Sequence, residues 1–136
     1  MLYMLDTNAV SAALKGTPQI DARLAALGPS EWCISAITRA ELRYGVALRP
    51  AAVRLARYVD AFLQAAWTAD WDVKAADQHG RLRARLRQAG TPIGDFDEMI
   101  AAHALAMGAV LVTDNTRQTG RGTVTGELAA RPVSVS

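Results

Sequence analysis

Four acidic residues from separate segments of the chain are best suited to chemistry: Asp6, Glu41, Asp97 and Asp114. Close carboxylates repel one another, so a group of them is stable only beside bound cations. Ligand sets made only of oxygen favour hard divalent ions such as Mg²⁺ or Mn²⁺. Such ions lower the pKa of a bound water and stabilise a departing oxygen, which is the chemistry of phosphodiester hydrolysis.

Apolar runs that alternate with helical patterns are the elements that must position these acids. Residues 1–5 form a continuous apolar run, typical of a strand covered on both faces, and Asp6 follows it directly. Further strands are predicted at 32–35, 67–71, 109–113 and 132–135, and helices at 8–15, 19–27, 38–48, 51–66, 73–89 and 95–107. Strands separated by helices favour a three-layer α/β/α sandwich with a central parallel sheet, and residues 1–136 are predicted to form one domain.

The predicted topology brings the four acids to one edge of the sheet. Asp6 and Asp114 lie just beyond the carboxyl ends of their strands, where ligand chemistry gathers in open α/β sheets. A helix that follows a strand begins at that edge, so Glu41 is expected there too. Asp97 is expected at the same edge, because the helix before strand 109–113 must start there and run to the opposite edge, from which that strand returns.

Each acid also has a purely structural interpretation. Asp6 has the position of an N-cap for the helix that follows it. Thr38 and Glu41 are spaced as a capping box, and Asp95 and Glu98 are spaced as a second one. Helix capping therefore competes with chemistry as the explanation of each residue taken alone.

Three other residues are weighed in the same way. Asp97 is not needed for either capping box, although the helix dipole favours an acid in the first turn. Asp114 has the alternative of an ordinary turn residue before Asn115. His103 lies six positions beyond Asp97, on another face of the same helix, and is predicted to be structural.

The composition indicates a globular protein of the reducing cytoplasm. Of the 136 residues 51% are hydrophobic and 21% charged, and no stretch approaches the roughly 18–20 apolar residues of a membrane span. The single cysteine, Cys33, is expected to be a core thiol. The net charge is only +2, but 13 of the 15 basic residues are arginine, which favours a nucleic acid or an acidic partner. A GC-rich coding background explains the same bias equally well.

Five blocks of the sequence, in this order and spacing, resemble one known family. They are Leu-Asp-Thr-Asn at 5–8, the segment 34–45, Gly-Arg-Leu-Arg-Ala-Arg-Leu at 80–86, the segment 92–104, and Leu-Val-Thr-Asp-Asn-Thr-Arg at 111–117. Together they resemble the PIN-domain nucleases and, within them, the VapC toxins of bacterial toxin–antitoxin pairs. The resemblance covers nearly the whole chain. It implies an endoribonuclease that uses Mg²⁺, with Mn²⁺ as a substitute, to activate a water.

The resemblance also implies a role for individual acids. Asp6 and Asp97 match metal-binding aspartates, and Glu41 matches the glutamate of the second block. The fourth acidic position of the family falls on Asn115, one residue after Asp114, so the charge of the ligand set is reduced there or supplied by Asp114.

Polar neighbours and arginines complete the predicted site. Thr7 and Asn8 match residues that support the first acid. Four arginines are predicted to contact RNA, two beside Glu41 and two on one helix face: Arg39, Arg43, Arg81 and Arg85. A solvated helix side is the alternative for the last two, and pairing with the acids of the sheet edge is the alternative for Arg39 and Arg43.

The resemblance further implies an antitoxin of the VapB type as partner, RNA as substrate, homodimerisation and no membrane. Two other classes stay open. One is a carboxylate-metal phosphatase with Asp6 as nucleophile, although Asn8 stands where such enzymes usually carry a second acid. The other is a binding module on a PIN fold that has weak activity or none, which Asn115 makes conceivable.

Overall fold

The part of the chain that the structure describes folds into three layers, with helices on both sides of a five-stranded sheet. The computed structural model describes residues 1–114 and the backbone of 129–131. The strands are β1 (Tyr3–Leu5), β2 (Trp32–Ser35), β3 (Thr68–Ala69), β4 (Val110–Thr113) and β5 (Ala129–Arg131). The helices are α1 (Thr7–Leu14), α2 (Pro18–Ala26), α3 (Ala36–Leu48), α4 (Val53–Ala65), α5 (Val73–Gln88) and α6 (Asp95–Met107). Among the described residues, no helix is both long and apolar enough to cross a membrane.

The sheet has the strand order β3-β2-β1-β4-β5, which puts the first strand at its centre. Strands β1 to β4 run parallel, as predicted, whereas β5 pairs with β4 in the antiparallel direction. The sheet is therefore not parallel throughout. The strand predicted at 132–135 lies outside the described residues, and the strand predicted at 67–71 is only two residues long.

The strand β1 is apolar throughout because both of its faces are covered. Leu5 packs with Ile34 of β2 and Val112 of β4 in a cluster that includes residues of α1 to α4. On the opposite face, Met4 and Cys33 belong to a second cluster with residues of α6. Cys33 is fully buried, and burial raises the pKa of its thiol to about 11, which confirms the predicted core thiol.

Both predicted capping boxes are wrong. The N-cap of α3 is Ser35, whose hydroxyl accepts the backbone N–H of Ile37 at 3.0 Å, so the helix begins at Ala36, two residues before Thr38. The N-cap of α6 is Gly94, which has no side chain to act as a cap. Glu41 and Glu98 are therefore free of the capping roles that their spacing suggests, and each has a distant partner instead.

Glu98 is a buried carboxylate that is poorly satisfied. It is 1% exposed, its Oε1 has no hydrogen-bond partner among the described residues, and its charge faces Arg83 of α5 across 3.9 Å. We expect Glu98→Met to raise the free energy of unfolding by about 1 kcal/mol, because an apolar side chain of similar length removes a desolvated charge. Arg83 is half-exposed and stays hydrated in that variant. Urea unfolding measures the change.

The matched control is Arg83→Met, which leaves the Glu98 carboxylate buried without its counter-charge and is expected to lower stability. A loss of stability in Glu98→Met equal to that in Arg83→Met would show that the pair stabilises the fold.

Candidate active site

Asp6 lies at the carboxyl end of the central strand and begins the first helix. Its backbone N–H donates to the carbonyl of Val112 at 2.9 Å, which continues the pairing of β1 with β4. Its Oδ1 accepts the backbone N–H of Ala9 at 2.8 Å, so the predicted N-cap role is confirmed. The hydroxyl of Thr113 donates a second hydrogen bond to the carboxylate. Two hydrogen bonds therefore fix the side chain and a third holds the backbone of this residue, which is 8% exposed.

The charge on Asp6 is unfavourable where it stands. Burial is the main cause that raises the pKa of its carboxyl, and repulsion from Asp97 and Asp114 adds to it, whereas the two hydrogen bonds oppose it; the net pKa is about 6. Burial also raises the pKa of Asp97. Three of the four predicted acids are therefore close enough for their charges to interact, although they are 91 and 108 positions from Asp6 along the chain.

Asp97 reaches this edge from the first turn of α6. The N-cap of this helix is Gly94, and the Asp97 Oδ2 lies 3.4 Å from the point that a Cβ atom would occupy on that glycine. The carboxylate therefore turns back toward the start of its helix, where the helix dipole favours a negative charge.

Glu41 joins the group indirectly. The hydroxyl of Thr7, the residue after Asp6, donates to the Glu41 Oε1 at 2.5 Å and lies 3.4 Å from the Thr38 hydroxyl. This contact joins α1 to α3 across 34 positions of sequence. Glu41 is therefore linked to Asp6 through Thr7, the next residue along the chain. The charge of Glu41 is not among those that raise the pKa of Asp6.

The chemical type of the acidic side chains at this edge suits a hard divalent cation. Asp6, Asp97 and Asp114 offer only oxygen atoms, and their mutual repulsion is what a bound cation offsets. In residues 1–114, however, no three acidic, histidine or cysteine side chains converge tightly enough to hold a metal ion. Asn8 is half-buried in the first turn of α1. Asn115, the predicted fourth position, lies outside the described residues.

The predicted RNA-contacting arginines fall into two groups. Arg39 donates to the Thr68 hydroxyl at 3.3 Å, and Arg43 forms an ion pair with Asp60 at 2.5 Å. Both are thus engaged within the fold. Arg81 and Arg85 are exposed one turn apart on α5, the helix that packs against α6.

Two further residues of this region have partners that the sequence alone did not identify. Thr113 was not predicted as part of the site, yet the register that pairs Leu5 with Val112 puts it beside Asp6. His103 is buried, its Nδ1 lies 2.8 Å from the Ser35 hydroxyl, and burial lowers the pKa of its imidazole. The predicted structural role of His103 is thereby confirmed.

Comparison with known proteins gives one consistent match. The PIN domain matches residues 3–121. A protein of Salmonella typhimurium named tRNA(fMet)-specific endonuclease VapC is 40% identical over 116 residues, which are 85% of this chain and 88% of the relative.

Two solved structures are similar in fold as well as in sequence. One is a VapBC2 complex of Rickettsia felis bound to a DNA fragment from its promoter, with a TM-score of 0.79 and 36% identity over 89% of this chain and 92% of the other. The second is DNA-bound VapBC from Salmonella typhimurium, with a TM-score of 0.78, 40% identity and the same coverage of both chains. The chain therefore belongs to the PIN domain family and, within it, to the VapC ribonucleases.

Proposed function

We propose that this chain is the toxin of a type II toxin–antitoxin pair and an endoribonuclease that hydrolyses RNA phosphodiester bonds. The observation that carries the proposal is the meeting of Asp6, Asp97 and Asp114 at the carboxyl edge of a parallel sheet in a VapC relative. These charges repel one another and raise the pKa of Asp6, which is the environment that a divalent cation stabilises.

Asp6 and Asp97 would hold Mg²⁺, for which Mn²⁺ is a substitute, and Asp114 or Asn115 would fill the fourth position. When bound, the ion supplies an activated water and neutralises charge on the scissile phosphate. The chain's own contribution is orientation: Ala9 and Thr113 hold Asp6 in one rotamer by two hydrogen bonds.

Glu41 takes the role of a positioned acceptor beside the metal ligands. Because Thr7 donates to one of its oxygens, the other is left to orient a water or a ribose hydroxyl. Asn8 supports the first acid from the same helical turn. The exposed Arg81 and Arg85 track RNA phosphates, and Arg39 and Arg43 do so only if they release Thr68 and Asp60.

The partners follow from the relatives. A VapB-type antitoxin binds the toxin, because two similar solved structures are VapBC complexes. The toxin forms a homodimer in the cytoplasm, with residues 1–136 as a single domain. Transfer RNA is the first substrate to test, because one relative is named as specific for tRNA(fMet).

The test is cleavage of total RNA and purified transfer RNA with Mg²⁺ and with EDTA. We expect cutting with Mg²⁺, none with EDTA, and a loss of about 10²-fold or more in Asp97→Ala, since one charge-stabilising group of a site typically contributes that much. The control is Asp95→Ala, an exposed acid two positions earlier in the same helix, with unchanged cleavage.

Growth of cells that express the toxin without its antitoxin gives a second readout. Slow growth that Asp97→Ala relieves supports toxicity through cleavage. Equal toxicity of both proteins would contradict it. Hydrolysis of phosphomonoesters with intact RNA would favour the phosphatase, and metal binding without turnover would favour the binding module.

A further inference from the structure

Gly94 occupies the N-cap of α6, the helix that carries Asp97. Its backbone does not require glycine, because φ is −61° and ψ is 150°, an extended conformation that any residue adopts. Gly108, at the other end of the same helix, differs in this respect, since its φ of 64° lies in the left-handed region that favours glycine. Backbone conformation therefore does not explain the glycine at the start of α6.

Packing against other elements does not explain Gly94 either. The residue is exposed, and only Asp97 has atoms within 4 Å of the point where a Cβ atom would stand, among the described residues other than the two chain neighbours. These atoms are Oδ2 at 3.4 Å and Cγ at 4.0 Å, which is ordinary van der Waals contact, so an alanine would fit. The space that a side chain at position 94 would enter is therefore bordered by the Asp97 carboxylate.

Asp97 is the third residue of α6, the position whose side chain pairs with the N-cap residue in a capping box. A serine or threonine at the N-cap completes that motif, and Gly94 has no side chain to do so. In the described part of the chain no hydrogen bond reaches the Asp97 carboxylate, whereas Ala9 and Thr113 both donate to Asp6. Asp6 is therefore fixed by hydrogen bonds, and Asp97 has no local partner of this kind.

A carboxylate without a local partner is suited to bind a cation. A hydroxyl on residue 94 would lie beside the Asp97 carboxylate and could donate its proton to it. That charge-assisted hydrogen bond would compete with a cation for the same oxygen and would hold the side chain against the helix. A capping side chain at this position would therefore stabilise α6 and weaken the metal site.

We propose that Gly94 is a positioning residue for Asp97: because it has no capping side chain, it leaves the Asp97 carboxylate available to a divalent cation. The inference rests on the proposed function and adds to it a reason for the glycine at the start of α6. The alternative is that glycine is only a tolerated N-cap, whose identity affects the stability of the helix and nothing else.

The test measures Mn²⁺ binding by electron paramagnetic resonance, with the full chain and without RNA, in the wild type, Gly94→Ser and Gly94→Ala. Gly94→Ser is expected to bind Mn²⁺ about tenfold more weakly, since a hydrogen bond to a charged group contributes roughly that factor or more. Gly94→Ala is expected to bind Mn²⁺ as the wild type does, because a methyl group fits beside the Asp97 Oδ2 and offers no hydrogen bond.

Thermal unfolding in EDTA separates this role from helix capping. Serine is a slightly better N-cap than glycine and alanine a much worse one, so the melting temperature is expected to rise by about 1 °C in Gly94→Ser and to fall by about 3 °C in Gly94→Ala. In Gly94→Ser, stability and Mn²⁺ affinity thus change in opposite directions. The matched control is Ala52→Ser, which adds a hydroxyl at the N-cap of α4, another helix without a side-chain cap. Its Mn²⁺ affinity is expected to be unchanged, because α4 carries none of the predicted ligands.

The outcomes separate this inference from the proposed function. Equal Mn²⁺ affinity in Gly94→Ser and the wild type overturns the role of Gly94, and so does an affinity that follows stability and is lowest in Gly94→Ala. Unchanged affinity in Asp97→Ala, or no Mn²⁺ binding by the wild type, overturns the inference together with the proposed metal site. Weaker binding in Gly94→Ser by a protein that does not cleave RNA supports the positioning role and overturns the nuclease function alone.

Discussion

Asp6→Asn is expected to lower RNA cleavage by about 10³-fold or more while the protein remains folded, since the substitution removes a charge that stabilises the transition state. The amide keeps the shape of the carboxylate, and its oxygen still accepts the N–H of Ala9. Asparagine is about as good an N-cap as aspartate, so α1 is retained. The variant thus removes the charge of the site without removing its local structure. Cleavage of transfer RNA with Mg²⁺ and thermal unfolding measure the two effects.

Asp6→Ala is the matched comparison, because it removes both the charge and the cap. It is expected to be as inactive as Asp6→Asn and less stable than that variant by about 0.5–2 kcal/mol, the usual contribution of an N-cap side chain. Wild-type cleavage in folded Asp6→Asn would contradict the assignment of this residue to the metal site. Inactivity only in variants that are also unfolded would reduce the role of Asp6 to capping.

The metal-free protein is expected to lose about 3 kcal/mol of stability through Asp6 as the pH rises from about 4 to 7, since one pKa unit corresponds to about 1.4 kcal/mol. The folded protein binds this proton more tightly than the unfolded chain, because burial raises the pKa of Asp6 from 3.8 to about 6. The stabilisation that comes from this tighter proton binding is therefore complete below the unfolded pKa of Asp6, and it is lost as the pH rises through about 6. Urea unfolding in EDTA at several pH values measures it.

Asp6→Asn supplies the reference, because it carries no titrating group at this position and is expected to lack this loss. His103 acts in the opposite direction: burial lowers the pKa of its imidazole, so its contribution is lost as the pH falls below the unfolded value. Both proteins contain His103, so its contribution cancels when the free energy of unfolding of Asp6→Asn is subtracted from that of the wild type. A difference that does not change with pH would show that Asp6 is not destabilised by its charge.

Added Mg²⁺ extends the same measurement. Above pH 6 it is expected to raise the melting temperature of the wild type, since an ion that binds only the folded state stabilises that state. The rise should be smaller or absent in Asp6→Asn. An equal rise in both proteins would place the ion elsewhere.

The alternation of apolar runs and helical patterns was enough to predict the layers and the direction of the four parallel strands. The run that ends at Leu5 is apolar because both faces of β1 are covered, and this pattern can be read without knowing its neighbours. The edge to which Asp6, Asp97 and Asp114 were assigned also follows from topology, because parallel strands end on one side. Their interaction in the structure agrees with that reasoning.

The partner of each polar side chain was decided by tertiary structure. Thr38–Glu41 and Asp95–Glu98 have the spacing of capping boxes, yet the N-caps of α3 and α6 are Ser35 and Gly94. The spacing of residues indicates which side chains could meet within one helix. The position at which a helix begins depends instead on where the preceding strand or loop ends.

Contacts across long sequence separations could not be read from the chain either. Thr7 reaches Glu41, Thr113 reaches Asp6, and Arg83 faces the buried Glu98. A groove between α1, α3 and α4 is lined by residues of all three helices, so it exists only where those helices meet. The fold class and the edge that carries the acids could be predicted from the order of the residues, because hydrophobic periodicity is local and strand direction is a matter of topology. Packing alone decided which hydrogen bonds and open spaces surround those acids, because such contacts depend on the relative positions of whole elements.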